Sequence, residues 1–254
     1  SGGYLGSPLL KPDYSPDLLL SHNYITHFFA ARKNLIDQIG GFRSIFDGAQ
    51  DYDLILRLTE LTSNVSHISE TLYHWRQSIR STSLDSGVKP EAHLRGKKAL
   101  TEALDRRGIR GKVLMGNAPH FFRVRREIIG NPSVDIVIPF RDQPLMLQQC
   151  IDSLLARTSY SNFRIIGVDN GSVEQLTIDL QRRYAENSSQ VKFVELDVPF
   201  NFAEIVNYGV EQSTADHVVL LNNDIQIINF DWLESLLEHS QRPEIGAVGG
   251  KLYY

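Results

Sequence analysis

The run Val134-Asp135-Ile136-Val137-Ile138-Pro139-Phe140-Arg141 decides how the rest of this chain is read. Four β-branched residues in five positions, closed by a proline, describe a buried strand with an abrupt end. Similar runs recur at 163–168, 191–196, 217–221 and 245–248, their starts 26 to 29 residues apart. Helical spacing fills the gaps at 144–157, 173–185, 203–213 and 230–240. In the first gap Leu145, Leu147, Ile151, Leu154 and Leu155 form one apolar set. Cys150, the chain's one cysteine, falls among them and reads as a core residue. Strand and helix alternating at this distance predict an α/β class, with a mostly parallel, Rossmann-like sheet and flanking helices.

In a parallel sheet the strand ends share one edge, and ligands bind in the crevice outside it. The predicted ends are Pro139-Phe140-Arg141, Asp169-Asn170-Gly171-Ser172, Pro199-Phe200-Asn201 and Asn222-Asn223-Asp224. Any one of these clusters is explained by turns and helix caps, which use the same residues. Four on one edge, two with carboxylates, point to a site. No G-x-G-x-x-G follows Ile138 and no G-x-x-x-x-G-K-[ST] occurs, which argues against dinucleotide and P-loop sites. Asn222 and Asp224 instead offer oxygen ligands to a hard divalent cation that could carry a diphosphate.

Working outward, residues 32–39 read as a helix stopped by Gly40-Gly41 and followed by Phe42. A second helix runs over 51–61 with Leu54, Ile55 and Leu58 on its apolar face. Asp51 and Asp53 stand at its N-terminal end, where backbone N–H groups favour an ionised carboxylate, whether as cap or as proton acceptor. Residues 64–68 and 71–75 are strand-like, the second carrying His74, which by itself reads as a hydrogen-bonded core residue. Residues 89–107 form an amphipathic helix ending at Gly108, and 120–126 a short strand. The likeliest boundary is 127–133, with Gly130 and Pro132.

The halves differ in charge: residues 1–130 carry net +5 and 131–254 net −9. Most of the positive excess lies in 89–126, with 11 basic and 3 acidic residues. That is too little for nucleic-acid binding. It fits a solvated helix face, and leaves room for peripheral contact with an anionic membrane surface or a neighbouring domain. No apolar run is long enough to span a membrane, and one cysteine makes neither a disulfide framework nor a cysteine zinc site. A reducing, cytoplasmic setting is expected, with the inner face of the cytoplasmic membrane as its edge. Ser1 in place of methionine, and a stop just after the apolar residues 245–252, read as a piece of a longer chain.

Taken in order and spacing, Val134-Asp135-Ile136-Val137-Ile138-Pro139, Val168-Asp169-Asn170-Gly171-Ser172, Pro199-Phe200-Asn201-Phe202, Asn207-Tyr208-Gly209 and Leu221-Asn222-Asn223-Asp224 resemble the nucleotide-sugar half of a family 2 glycosyltransferase with the GT-A fold. Residues 245–254 resemble the segment after the metal motif in bacterial polysaccharide and rhamnosyl-type members. The resemblance implies that Pro139, Phe140, Arg141 and Asp169 line the nucleotide pocket, with Asn201, Asn207 and Asn223 also on the donor. It implies that Asn222 and Asp224 occupy the Asp-x-Asp positions, with Asp224 holding Mg²⁺ or Mn²⁺ on the donor diphosphate. Asn222 replaces the commoner aspartate, so Asp224 is the only charged ligand of the pair.

The first half resembles the acceptor end of the same family through Gly40-Gly41-Phe42, Gln50-Asp51-Tyr52-Asp53-Leu54 and Tyr73-His74-Trp75-Arg76. Asp51 then matches the general base that takes the acceptor hydroxyl's proton as it attacks with inversion, and His74 matches the position facing the metal and diphosphate. Gln50 stands where glutamate is more usual. The halves are in reverse order for one catalytic domain. Two tandem domains explain this: 1–88 as the acceptor half of one, 89–132 as a helical basic connector, and 133–254 as the donor half of the next. A second arrangement docks the halves into a composite site, with Asp51 and His74 opposite Asp224. The expected activity is sugar transfer from a nucleotide-diphosphate sugar to a saccharide or lipid-linked saccharide in cell-surface polysaccharide synthesis. A non-catalytic nucleotide-sugar-binding module and a partner-binding α/β domain are the alternatives.

Overall fold

The computed structural model describes residues 10–74 and 90–250. They form two compact units, Ser1–Glu127 and Ile128–Tyr254, each with its own core.

In the first unit two short helices, α1 (Pro16–Leu19) and α2 (Lys33–Gln38), precede a 3₁₀ turn (Ser44–Phe46) and the helices α3 (Gln50–Leu61) and α4 (Pro90–Arg106). Seven consecutive residues of α3, Tyr52 to Leu58, are buried, so this helix is surrounded rather than half-exposed. α4 places Ala99, Leu100, Ala103 and Leu104 in the same core as Leu56, Phe46 and Leu19. It ends at Gly108, whose φ of +63° lets Ile109 N–H return to Leu104 O at 2.9 Å and close the last turn.

Much of the basic excess in 89–126 is engaged within the unit. Arg106 pairs with Glu60 at 2.7 Å, Arg126 with Asp17 at 3.2 Å, and Arg107 donates to Leu56 O at 2.9 Å. The expected strand at 120–126 is β2 (Phe122–Arg126), antiparallel to β1 (Gly111–Met115). Nothing in the apolar pattern marks β1, because only Val113 of its five residues is buried.

Two strands expected in this half, at 64–68 and 71–75, do not form among the described residues, and Trp75 lies outside them. Residues 62–74 are irregular, and Ile68 and Leu72 are exposed. A strand persists only when another pairs with it, and no described residues pair with these.

The second unit is a four-stranded parallel sheet in the order β5-β4-β3-β6. Its elements are β3 (Val134–Phe140), α5 (Pro144–Arg157), β4 (Phe163–Asp169), α6 (Gln175–Asn187), β5 (Val191–Glu195), α7 (Phe202–Glu211), β6 (His217–Leu220) and α8 (Trp232–Ser240). Side chains along β3 alternate between two cores. Val134, Ile136, Ile138 and Phe140 face Leu147, Ile151 and Leu154 of α5, Leu180 of α6 and Leu233 of α8. Val137 faces Ile205 of α7. Helices on both faces explain why both sides of β3 are apolar apart from Asp135. The expected fifth strand at 245–248 is absent. Residues 245–250 are irregular, and the outer edge of β6 has no partner strand among the described residues.

Asp135 is buried on β3 and accepts from Arg164 Nε at 2.9 Å, Arg164 Nη2 at 2.8 Å and Ser213 Oγ at 2.7 Å. Burial alone would raise its pKa. The bonds from Arg164 and Ser213 and the guanidinium charge outweigh this and hold the carboxyl below the usual range.

Candidate functional site

The parallel register brings the strand ends to one edge: Phe140 pairs with Asp169, and Asp169 with Glu195. Leu221 N–H donates to Val137 O at 3.0 Å, so Asn222, Asn223 and Asp224 leave the sheet beside the end of β3. Arg141, Asn222 and Asp224 are exposed here, and Pro139 and Asn223 partly so. Phe140 is placed differently from a pocket wall. Its ring lies in the core, edge-on to Phe193 with centroids 5.8 Å apart, and only its backbone faces the edge, accepting from Asn170 N–H at 2.9 Å.

Asp169 builds the turn that bears its name in the motif. One carboxylate oxygen accepts from Ser172 N–H at 2.8 Å and the other from Gln181 Nε2 at 2.7 Å. Gly171, with φ +72°, turns the chain where a side chain would strike Asp197. Asn170, almost wholly buried, donates to Leu196 O and Val198 O at 2.9 Å each. It thereby ties the ends of β4 and β5 together, and its Oδ1 has no partner. Asp142 caps α6 from a distance, accepting from Val173 and Glu174 N–H at 2.8 Å each. Its own N–H donates to Ser172 Oγ at 2.7 Å.

Sequence reasoning missed Asn170, Asp142 and Gln181 as organisers of this edge. The available signal was a carboxylate directly after Arg141, which lacks meaning until the β4 turn is seen against it.

Asn201 and Asn207 belong to the segment that follows β5, at the start of α7 and within it. Asn201 caps α7, accepting from Glu204 N–H at 3.3 Å. With Asn207, Leu196, Glu204, Tyr208 and Glu211 it lines an open cavity of about 570 Å³ along α7. Two carboxylates and no cation in that lining repel a diphosphate and suit hydroxyl-rich groups.

The oxygens of Asn222 and Asp224 fit a hard cation, and both side chains reach solvent. Among the described residues no three His, Cys, Asp or Glu side chains converge on a metal position. A cation here would have one charged protein ligand and would complete its shell from a bound diphosphate and water. Behind the loop sits Cys150, whose thiol is pushed up to about 11, first by burial and further by the Asp224 charge. It stays protonated at neutral pH and can donate.

In the first unit Asp51 is half-buried in the first turn of α3. Asp53 is fully buried and pairs with Arg43 and with Arg57, the latter at 2.7 Å. Arg57 also donates to Ile39 O at 2.6 Å and Gly41 O at 2.7 Å. The Gly40-Gly41 turn, with φ of +72° and +67°, is thus fastened to the helix that carries Asp51. Burial alone would raise the Asp53 pKa, but its two arginines outweigh burial and hold the carboxyl below the usual range. His74 is exposed at the end of the irregular segment. Trp75 and Arg76 of the same motif lie outside the described residues.

Residues 135–254 match the family model for glycosyl transferase family 2. Over 99% of its length the chain is 41% identical to the O-antigen biosynthesis protein RfbC of Myxococcus xanthus. Over 100% it is 38% identical to the uncharacterized protein y4gI of Sinorhizobium fredii. It spans only 20% and 28% of those relatives' lengths, and both match across the two units in the same order. An N-acetylglucosaminyltransferase of Rhizobium meliloti is 31% identical over 48% of the chain and 28% of its own length. A solved mannosyltransferase from Pyrobaculum calidifontis, in complex with GDP-Man and Mn²⁺, is 18% identical, with a TM-score of 0.43 over 62% of this chain and 43% of its own. The similarity to glycosyl transferase family 2 is thus carried by residues 135–254, within the second unit.

Proposed function

We propose that the second unit binds a nucleoside-diphosphate sugar, and that the chain is part of an inverting, divalent-metal-dependent glycosyltransferase of bacterial cell-surface polysaccharide synthesis. The observation that carries this reading is the exposed Asn222-Asn223-Asp224 loop beside the Asp169 turn on one edge of a parallel sheet. The Arg141 side chain, exposed on the same edge, supplies positive charge for the donor.

Mg²⁺ or Mn²⁺, held by Asp224 and Asn222, would offset the charge that builds on the departing diphosphate. Asp51, in the first unit, is the base of the transferase domain to which that unit belongs: its carboxylate takes the proton of an acceptor hydroxyl, the oxygen forms a bond to the anomeric carbon of that domain's own donor from the face opposite the leaving group, and the bond to that donor's diphosphate breaks. The N-terminal end of α3 keeps Asp51 ionised for that step. The acceptor is a saccharide or lipid-linked saccharide, in line with the O-antigen name of one relative. His74 would complete the acceptor side.

Membrane contact through 89–126 gains no support, since arginines of that stretch pair within the first unit. No helix among the described residues is long and apolar enough to cross a membrane.

Calorimetric titration of the chain with UDP and GDP, with and without Mn²⁺, tests the donor site. Mn²⁺ is expected to tighten nucleotide binding, and Asp224→Ala to abolish that gain. Equal behaviour of Asp224→Ala and parent would remove Asp224 from the site. Transfer by the full-length protein should fall at least about 100-fold in Asp51→Asn, the order of a general base's contribution. An unchanged rate would remove Asp51 from the role of base.

A further inference from the structure

α5 runs alongside the loop between β6 and α8 and supplies the partners that this loop's backbone lacks. Cys150 Sγ donates to Asn222 O at 3.7 Å. Ser153 Oγ donates to Cys150 O at 2.9 Å and accepts from Ile227 N–H at 3.1 Å. Arg157 Nη1 donates to Ile228 O at 3.4 Å, and just past the helix Ser159 donates to Phe230 O through its N–H at 3.0 Å and its hydroxyl at 2.7 Å. Positions 150, 153 and 157, three and four apart, share one helix face. The residues from 221 to 229 form no helix or strand, so they cannot satisfy their own backbone groups in a regular ladder.

The placement of these contacts matters for Asp224. Its side chain makes no hydrogen bond or ion pair among the described residues, and it is exposed, so nothing it touches aims it. The bonds fall on either side of it: the Asn222 carbonyl two residues before and the Ile227 amide three after. Both anchors are shielded, with Cys150 1% and Ser153 8% exposed, where a hydrogen bond is costly to lose. Core packing explains why Cys150 is buried but not why its sulfur points at a loop carbonyl.

We propose that Ser153 and Cys150 are positioning residues for Asp224, clamping the loop so that its carboxylate stays on the carboxyl edge of the sheet before any ligand arrives. The proposal rests on the reading of Asp224 as a metal-diphosphate ligand. It adds that the aim of this ligand is set from the far side of the loop, by a helix that carries none of the expected donor residues.

The test uses the full 254-residue chain with Ser153→Ala, Cys150→Ala and the conservative Cys150→Ser, which keeps a donor. Two quantities are read: the ratio of nucleotide affinities with and without Mn²⁺, using UDP or GDP as the parent binds it, and amide hydrogen exchange of the 222–228 segment. Ser153→Ala should speed exchange in that segment selectively and shrink the Mn²⁺ ratio about 10-fold, as loss of an outer partner does at metal sites. Metal-free nucleotide affinity should hold. Cys150→Ala should shrink the ratio less, and Cys150→Ser should restore it.

A parent-like Mn²⁺ ratio in both alanine variants overturns the proposal, even if exchange rises and the melting temperature falls, because the contacts would then be structural only. If Ser153→Ala does not fold, the comparison of Cys150→Ala with Cys150→Ser decides. A parent with no Mn²⁺ ratio at all instead overturns the donor-site reading, and this proposal with it. The two failures are told apart by the parent alone.

Discussion

Gly209 shows how much one missing side chain can decide. A Cβ there would lie 2.5 Å from Val137 Cγ1 and 2.7 Å from Val168 Cγ2, and both valines are fixed on central strands with a single preferred rotamer each. Gly209→Ala gains about 1 kcal/mol of helix propensity but forces α7 off the sheet, at a cost of about 1–3 kcal/mol. The expected result is a net loss of stability, seen as a fall of several degrees in the thermal midpoint of the second unit. A midpoint equal to the parent's would mean that α7 can shift without loss. Asn-Tyr-Gly was legible as a motif, but its glycine's partners lie on β3 and β4 and were not. Asp53 makes the same point in the first unit. It looked like a second candidate acid beside Asp51, and the structure commits it to Arg43 and Arg57.

Between elements, the pairing of β3 with β4 carries a pH signature. The Asp135 carboxyl titrates lower in the folded chain than in the unfolded one, where about 3.9 is usual. The unfolded chain therefore holds the proton more readily, so the pair's contribution is complete above about pH 4 and is lost as pH falls through the lower, folded value. Arg164 is half-exposed, so this contribution is discounted for solvent to about 1–2 kcal/mol. Chemical denaturation across pH 2–7 should show a steeper acid loss in the parent than in Asp135→Asn. Parallel curves would contradict the assignment. Along the chain, helices with a clear apolar face were read to within a few residues, because periodicity is local. Among the described residues no strand forms at 64–68, 71–74 or 245–248, because a short β-branched or aromatic stretch carries the same pattern whether or not a neighbouring strand pairs with it.

At the level of the molecule, the chain divides into two compact units between Glu127 and Ile128. Each unit closes a core of its own, the usual condition for folding alone. Residues 128–254 produced separately should unfold in one cooperative transition and keep the parent's nucleotide affinity with Mn²⁺. A non-cooperative melt, or lost binding, would count against this. Val218 and Leu220, exposed on the open edge strand, are the expected source of self-association in that fragment.

The amino-acid sequence alone determined the α/β class, the order of most helices and strands and the resemblance to family 2 glycosyltransferases, since all of these follow from patterns among residues near one another in the chain. Tertiary structure alone decided which polar residues work together. It turned the Phe140 ring into the core, engaged one oxygen of Asp169 in its own turn and the other with Gln181 of α6, and put Cys150 and Ser153 behind Asp224. The contacts of Asp169 with Gln181, of Cys150 with Asn222 and of Ser153 with Ile227 join groups 12 to 74 positions apart in sequence, whose meeting is fixed by sheet register and helix packing, quantities that no local pattern encodes.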